Sequence, residues 1–559
     1  MANTVAVDLA NFLEDCQVDT AFGVSGGFIF PLWEAFSAAP AIRVVHCRHE
    51  AGSVYCASEY SLSRNRPAVA FATAGPGLTN ALTALSVARG DGSQVIFISA
   101  ITADRESGTW PLQETTRDGV NRMTAVAGQG FFDVVYVVSQ LDDYVHAKAA
   151  IAENLRDHTG ACIGLFITTA IQKMTLPEGS APHTTGISPE IASADWQSKI
   201  QSLAAAIMAN HALFWVGFGA RHAASELQHA VAFSHAEVIS TPRGKGIFPE
   251  DCANYRGASG LGSDSATIAR MLDAECHPVV VIMGTRLGEL SSSYMQKRLT
   301  DSQVFYVGLN SQQVAGNMPP QTVFIDGEIR TLLCYLNQRL EALFARSPAV
   351  AAAPAARHAR AREYPDLPGC LHPQAVMQVV QQIVIDRHNG YVAAEAGNSL
   401  AWANRYLTFR EPCRYRVSPG LGAMGHYAAG IVGLAANQGA VAVAIVGDGA
   451  MLMSNEVSTA VRYNFPAIWL VMNDSCYNMC RQALNMLDNA ALDCDIPATD
   501  FALLGESMGA RGYRVSDRAQ LEQALTSAIA ERRPAVIDIG IDRSAVPPLT
   551  DRINTLREL

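Results

Sequence analysis

Residues 441–474 read VAVAIVGDGAMLMSNEVSTAVRYNFPAIWLVMND. An apolar run, Val441–Val446, ends in Gly447-Asp448-Gly449. A helical pattern follows over roughly Ser454–Tyr463, and Pro466 restarts a second apolar run, Ala467–Met472, which ends in Asn473-Asp474. Strand, helix and strand at this spacing predict two parallel strands of one sheet. Both strands then deliver their carboxyl ends to the same edge, where open α/β sheets bind ligands. Asp448 and Asp474 would place two hard oxygen donors there, suited to Mg2+, which also takes phosphate oxygens. Gly449 would let backbone approach a phosphate, and the N-terminus of the following helix favours negative charge. Gly-Asp-Gly alone reads as a turn after a strand; the second acidic strand end, one strand–helix–strand unit later, makes the combination specific.

The same rhythm extends in both directions. Short Val/Ile-rich strands alternate with Gly-containing turns and helices, the pattern of parallel α/β sheets. Strands are expected at Arg43–Cys47, Pro67–Thr73 and Ser93–Ser99 in a first region. A second region holds Ala212–Val216, Glu237–Ser240 and Pro278–Met283, and a third Gly390–Glu395, Val441–Val446, Ala467–Met472 and Ala535–Ile541. The 559 residues exceed what one hydrophobic core supports and predict three or four domains. The polar stretch Pro182–Ser193 and the Ala/Pro/Arg-rich stretch Ser347–Arg362 read as joins. The expected division is residues 1–185, 190–345, a linker 346–369, and 370–559, giving three doubly wound parallel-sheet domains.

A net charge of −11 without a long basic run argues against nucleic acid as a partner. Met1–Cys16 carries three acids and does not read as a signal peptide, and the apolar runs are strand-sized, far short of a membrane span. The 12 cysteines are scattered; Cys476 and Cys480 have no second pair to complete a zinc site, so reduced thiols and a cytoplasmic setting are expected. There is no Gly-x-Ser-x-Gly elbow and no Walker Gly-Lys-Ser/Thr, and Gly217-x-Gly219-Ala220-Arg221 lacks the full dinucleotide fingerprint.

Several further motifs share the first and third regions. Gly23-Val24-Ser25-Gly26-Gly27, Arg48-His49-Glu50, Thr73-Ala74-Gly75-Pro76-Gly77-Leu78-Thr79-Asn80 and Leu112-Gln113-Glu114 lie in the first. Gly397-Asn398-Ser399 and Gly420-Leu421-Gly422-Ala423-Met424-Gly425 lie in the third. With the Gly-Asp-Gly loop they resemble, over nearly the whole chain, the thiamine diphosphate-dependent acetolactate synthase large subunits. The resemblance implies pyrimidine-binding, central Rossmann-like and diphosphate-binding domains, in that order. It assigns the metal to Asp448, Asp474 and the backbone carbonyl of Cys476. It assigns cofactor contacts to Gly26, Gly27, Pro76, Asn80, Gly397, Asn398, Ser399, Gly447, Gly449, Ala450, Tyr477, Asn478 and Met479, with Asn398 and Ser399 at the position that contacts the diphosphate. The Gly422 carbonyl would accept a hydrogen bond from the aminopyrimidine, and Met424 would wedge the cofactor into its bent form. Glu50 would sit on the pyrimidine nitrogen as the catalytic acid–base, with Gln113 beside it. Glu50 and Asp448 would come from different subunits of a homodimer or homotetramer.

The implied activity is that of a carboligase: a pyruvate-like 2-keto acid loses CO2 and its acyl carbon joins a second carbonyl. The alternative is a non-oxidative 2-keto acid decarboxylase or C–C lyase. Simple decarboxylases resembling pyruvate decarboxylase carry paired histidines in the first domain; here Gln113, neutral at working pH, stands at the matching place, which favours ligation over protonation. A non-catalytic cofactor-binding scaffold is the third reading, and retention of Glu50 weighs against it. The chain departs from the family at Ser25, Leu112 and Asp474, and at Ala483 where a Trp is usual; Arg481 adds a positive charge that could hold a carboxylate. These departures point to a divergent member acting on a larger or different acceptor, in a specialised pathway. Gly217, Gly219, Arg221 and Arg286 match part of the pattern with which acetolactate synthases carry FAD, leaving a flavin open.

Overall fold

The computed structural model describes residues 3–102, 112–124, 130–156, 160–176, 195–309, 311–344, 364–437, 440–486 and 492–547. The joins expected at 182–193 and 347–362 lie outside the described residues. The described residues form three six-stranded sheets, and every strand pair in them is parallel. The first sheet holds β1 (Thr20–Gly23), β2 (Arg43–His46), β3 (Ala68–Ala72), β4 (Val95–Ile101), β5 (Val134–Val138) and β6 (Cys162–Thr168). The second holds β7 (Ala212–Val216), β8 (Glu237–Ser240), β9 (Tyr255–Ala258), β10 (Val279–Met283), β11 (Gln303–Gly308) and β12 (Val323–Asp326). The third holds β13 (Tyr391–Ala394), β14 (Tyr415–Arg416), β15 (Ala442–Gly447), β16 (Ala467–Asn473), β17 (Arg511–Val515) and β18 (Ala535–Gly540).

The first sheet runs β2-β1-β3-β4-β6-β5 and the third β14-β13-β15-β16-β18-β17. Each strand of the third sheet thus repeats the position of its counterpart in the first, so the two outer domains are copies of one topology. The middle sheet, β12-β11-β10-β7-β8-β9, reverses direction between β7 and β10, the order of the dinucleotide-binding folds. Residues of a buried parallel sheet must be apolar on both faces. In β15, Ala442, Ala444 and Val446 face one core while Val443 and Ile445 face the other. The first of those cores is shared: it joins Phe22, Ala70 and Phe97 of the first domain to Trp469 and Val536 of the third.

Two helices form that junction, Glu50–Arg64 from the first domain and His426–Ala436 from the third. Their approach depends on glycine. A Cβ built on Gly433 would lie 2.1 Å from the Cys56 carbonyl oxygen, and one on Gly430 would lie 3.0 Å from the Glu59 side chain. Among the described residues, no helix is long and apolar enough to cross a membrane.

The helix expected from Ser454 starts at Val457 and ends at Tyr463; a separate short helix, Asp448–Met451, precedes it. The buried carboxylate of Glu456, at the N-cap, accepts from the Thr459 hydroxyl of its own helix and from the backbone N–H groups of Arg48 and His49, at 3.0 and 3.1 Å, across the domain junction.

Candidate active site

β15 and β16 lie side by side, with Gly447 in register with Met472. Asp448 and Asp474 therefore emerge at one sheet edge, as the spacing predicts. Asp448 is buried and accepts hydrogen bonds from the Gly449 N–H at 2.7 Å and the Cys476 N–H at 3.1 Å. Ser475 takes a left-handed backbone (φ 52°) and turns the loop back, so that Cys476 reaches Asp448. The turn is held from outside: Ile496 donates to the Ser475 carbonyl, and Tyr477 donates to that of Cys494. The Cys476 carbonyl accepts the Asn478 N–H at 2.7 Å and keeps a second lone pair.

Burial pushes the Asp474 carboxyl up to about 6, and the neighbouring Asp448 charge adds to the rise; Asn478, Arg543 and Arg481 pull it back. Burial raises Asp448 as well, against several backbone N–H donors. Two acids that oppose each other's ionisation, with a carbonyl beside them, make a donor set suited to a divalent cation.

In the third domain, side chains built on Gly420, Gly422 and Gly447 would meet nothing within 4 Å, and one on Gly397 only the Met479 sulfur at 3.8 Å; in the first domain, one on Gly27 would meet nothing either. Gly397 and Gly422 have φ of 105° and 68°, conformations that L side chains rarely adopt. The missing side chain of Gly449 faces the Tyr477 ring, 2.4 Å from a built Cβ, while that of Gly447 faces open space. Ser399 and Ala450 are buried at the same edge, and Met424 is exposed on the Gly422 loop. Asn398 donates to Gln482 Oε1 at 3.1 Å, and its own Oδ1 is buried without a partner. Gln482 Nε2 in turn donates to the Ala545 carbonyl, which fixes both amides. Asn398 is thus held by Gln482 within the protein. Asn478 is likewise engaged within the protein, by Asp474, Arg543 and Arg481.

The first-domain motifs meet at the ends of β1, β2 and β3. Glu50 is the first residue of its helix, capped by the His49 ring nitrogen, which accepts the Ala51 N–H. A carboxylate at a helix N-terminus is favoured by the aligned peptide dipoles. Glu50 is buried and accepts a hydrogen bond from Asn80 Nδ2 at 3.1 Å, so Asn80 serves Glu50. A Cβ on Gly26 would strike the Thr73 side chain, whose hydroxyl donates to Gln113 Oε1 at 3.4 Å. A Cβ on Gly75 would lie 2.9 Å from that of Gln113, which itself has a φ of 55°. Pro76 opens the short helix that follows. Trp110 and Pro111 lie outside the described residues.

The residues matched to a flavin pattern are engaged in domain packing. The Gly219 N–H donates to the Gly284 carbonyl at 2.8 Å, and Arg286 donates to the Gly90 carbonyl of the first domain. Arg221 stacks on Phe218 together with Arg243 and Arg416.

Sequence reasoning missed Glu59, whose only signal was a carboxylate midway along an apolar helix. It is fully buried between domains, accepting from Arg416 Nε at 2.8 Å and lying 3.1 Å from His426 Nε2. It also missed Glu395, which accepts the Tyr427 and Ala428 N–H groups and so pins the helix that follows the Gly422 loop.

A strand-edge acid pair in one domain, a helix-capping carboxylate in a second domain of the same topology, and a Rossmann-ordered sheet between them define an enzyme built around a split cofactor site. Residues 3–122 match the thiamine pyrophosphate enzyme N-terminal TPP binding domain, 200–336 the central domain, and 395–539 the C-terminal TPP binding domain. The chain belongs to the thiamine pyrophosphate enzymes, as a divergent relative of the acetolactate synthase large subunits. It is 24% identical to the acetolactate synthase large subunit of Haemophilus influenzae, over 98% of this chain and 96% of that one. It is 24% identical to that of Pyropia yezoensis, over 93% and 89%. The fold matches the crystal structure of benzoylformate decarboxylase from Polynucleobacter necessarius with a TM-score of 0.82 at 17% identity, covering 98% of this chain and 100% of that one.

Proposed function

We propose that this enzyme is a carboligase: with thiamine diphosphate and Mg2+ it decarboxylates a 2-keto acid and joins the acyl carbon to a second carbonyl. Asp448, Asp474 and the Cys476 carbonyl would hold the metal, and the open faces at Gly27, Gly397, Gly422 and Gly447 would admit the cofactor. When bound, the thiazolium accepts the electron pair released as CO2 leaves. Glu50 would hold a proton on the pyrimidine nitrogen, positioned by Asn80 and by its place at the helix start. The observation that carries ligation over protonation is Gln113. It stands against Gly75 and Thr73 beside the Glu50 edge, and an amide there cannot deliver a proton to the acyl carbon.

The likeness to acetolactate synthase large subunits supports the same reading. The active unit is proposed to be at least a dimer. Large apolar side chains around the cofactor loops are exposed in the single chain: Leu421, Met424, Leu452, Met453 and Tyr477 in the third domain, Phe30 and Leu112 in the first. A second subunit laid across them would remove that surface from water.

Purified protein incubated with pyruvate, thiamine diphosphate and Mg2+ should release CO2 and yield acetolactate or an acyloin, read by mass spectrometry. Acetaldehyde as the sole organic product would refute ligation and leave the decarboxylase reading.

A further inference from the structure

We propose that Asn478 and Arg481 are positioning residues of the metal site, and that they hold the Asp474 carboxylate in place by fastening it to the chain segment after β18. The proposal rests on Asp448 and Asp474 being the metal pair.

Two carboxylates at one strand edge repel, and nothing covalent keeps Asp474 turned toward Asp448. Asn478 supplies the restraint. Its Nδ2 donates to Asp474 Oδ2 at 2.6 Å and to the Arg543 carbonyl at 3.0 Å. Its Oδ1 accepts from Arg481 Nε at 3.2 Å, and Arg481 Nη2 reaches the same Arg543 carbonyl at 3.0 Å. Arginine only donates, so the oxygen of the Asn478 amide must face Arg481 and the nitrogen must face Asp474. The ring of contacts therefore fixes the one amide orientation that grips a carboxylate. Both N–H groups of Asn478 are consumed in it, which leaves none for a diphosphate.

The fastening continues along the helix Asn478–Met486. Asn478 and Arg481 are three residues apart and share a face. One residue further on, Gln482 donates to the Ala545 carbonyl at 3.0 Å. The strap itself is anchored at its start, where Leu371 donates to Gly540 and Asp542 donates to Leu371. On its outer side the Arg543 guanidinium pairs with Asp495, next to the residues that hold the Ser475 turn. The geometry of Asp474 is thus set by a segment some 70 positions later in the chain (Arg543 less Asp474 is 69). Partners that orient metal ligands in this way typically contribute 10- to 100-fold in metal affinity.

The test is Mn2+ titrated into the full-length protein with thiamine diphosphate present, read by the paramagnetic signal of the free ion, together with kcat at saturating Mn2+. Asn478→Ala should weaken Mn2+ binding by about 10- to 100-fold. Arg481→Lys keeps the charge but loses the planar fork, and should weaken binding by roughly tenfold. In both, kcat should return toward the wild-type value once Mn2+ saturates, as expected of residues that position a ligand without touching the reacting atoms. Should Asn478→Ala fail to fold by circular dichroism, Arg481→Lys decides. Folded variants that bind Mn2+ with the wild-type dissociation constant would overturn the proposal, as would a kcat that stays low at saturating metal. Wild-type protein that binds no Mn2+ would instead overturn the metal-site reading beneath it.

Discussion

Asp474 carries its negative charge in an unfavourable place. Its value of about 6 lies above the ordinary 3.8, because burial and the Asp448 charge disfavour the anion. A native value above the unfolded one means that the folded, metal-free protein holds this proton more tightly than the unfolded chain does. The pair therefore withdraws stability as pH rises from about 4 through about 6. A divalent cation needs the anion and reverses the sense. Above about pH 6 it finds Asp474 ionised; below that it must displace a proton. Mg2+ affinity is expected to be flat above about pH 7 and to fall by about tenfold per pH unit below about pH 6. Calorimetry at about pH 7.5 and about pH 5.5, in buffers of different ionisation enthalpy, should show release of about one proton only at the lower pH. Equal affinity and no proton release at both values would show that Asp474 does not ligate.

At the scale of elements, the helices Glu50–Arg64 and His426–Ala436 join the first and third domains within one chain. They run antiparallel, with Glu59 against His426 and Gly430, and Cys56 against Gly433, so Glu50 lies at the end of the crossing away from the Gly422 loop. Gly433→Ala forces a methyl into the Cys56 carbonyl at 2.1 Å, a backbone contact that neither helix can relax locally. It should cost about 1–3 kcal/mol in chemical denaturation. Glu59 makes the same junction electrostatically. Burial alone would raise its carboxyl, but Arg416 and His426 hold it down at about 2, against an ordinary 4.5. Its contribution is complete above about pH 4.5 and is lost as pH falls toward 2. Glu59→Gln should destabilise by roughly 3–5 kcal/mol at neutral pH, because it leaves the buried Arg416 charge unpaired. Equal denaturation midpoints for Glu59→Gln and wild type would show that the pair is neutral. Neither device was legible beforehand. Strand periodicity and Gly-rich turns mark the sheets, and paired strand-end acids mark the edge, because each is a local property of a few residues. The junction depends on which helices meet across about 370 residues of chain, and the use of Asn80, Asn398 and Asn478 depends on where neighbouring donors and acceptors fall. Edge strands such as β14 and β17 escaped for a related reason: two residues, or five of which only Val515 is buried, carry no apolar run.

For the whole molecule, the question is whether a complete site forms within one chain or between two. The two outer domains share a topology and pack on each other through the Gly433 crossing. Yet the loops that would grip the cofactor still present Leu421, Met424, Leu452, Met453 and Tyr477 to solvent, and Leu112 of the first domain is 80% exposed. A chain whose cofactor loops are apolar and uncovered is built to be covered by a symmetric partner. Complementation distinguishes the two cases. Glu50→Ala and Asp448→Ala should each abolish turnover and leave folding intact, since one removes the proton-holding carboxylate and the other a metal ligand. If sites form between subunits, a mixed dimer of the two variants carries both lesions in one site and leaves the other intact. Random exchange makes half the dimers mixed, so about a quarter of wild-type activity should return on mixing. If each chain completes its own site, every site in the mixture carries a lesion and activity stays at the level of the single variants. Sedimentation of the mixture must show dimers or larger species in either case; inactive mixed dimers would place Glu50 and Asp448 in one chain's site.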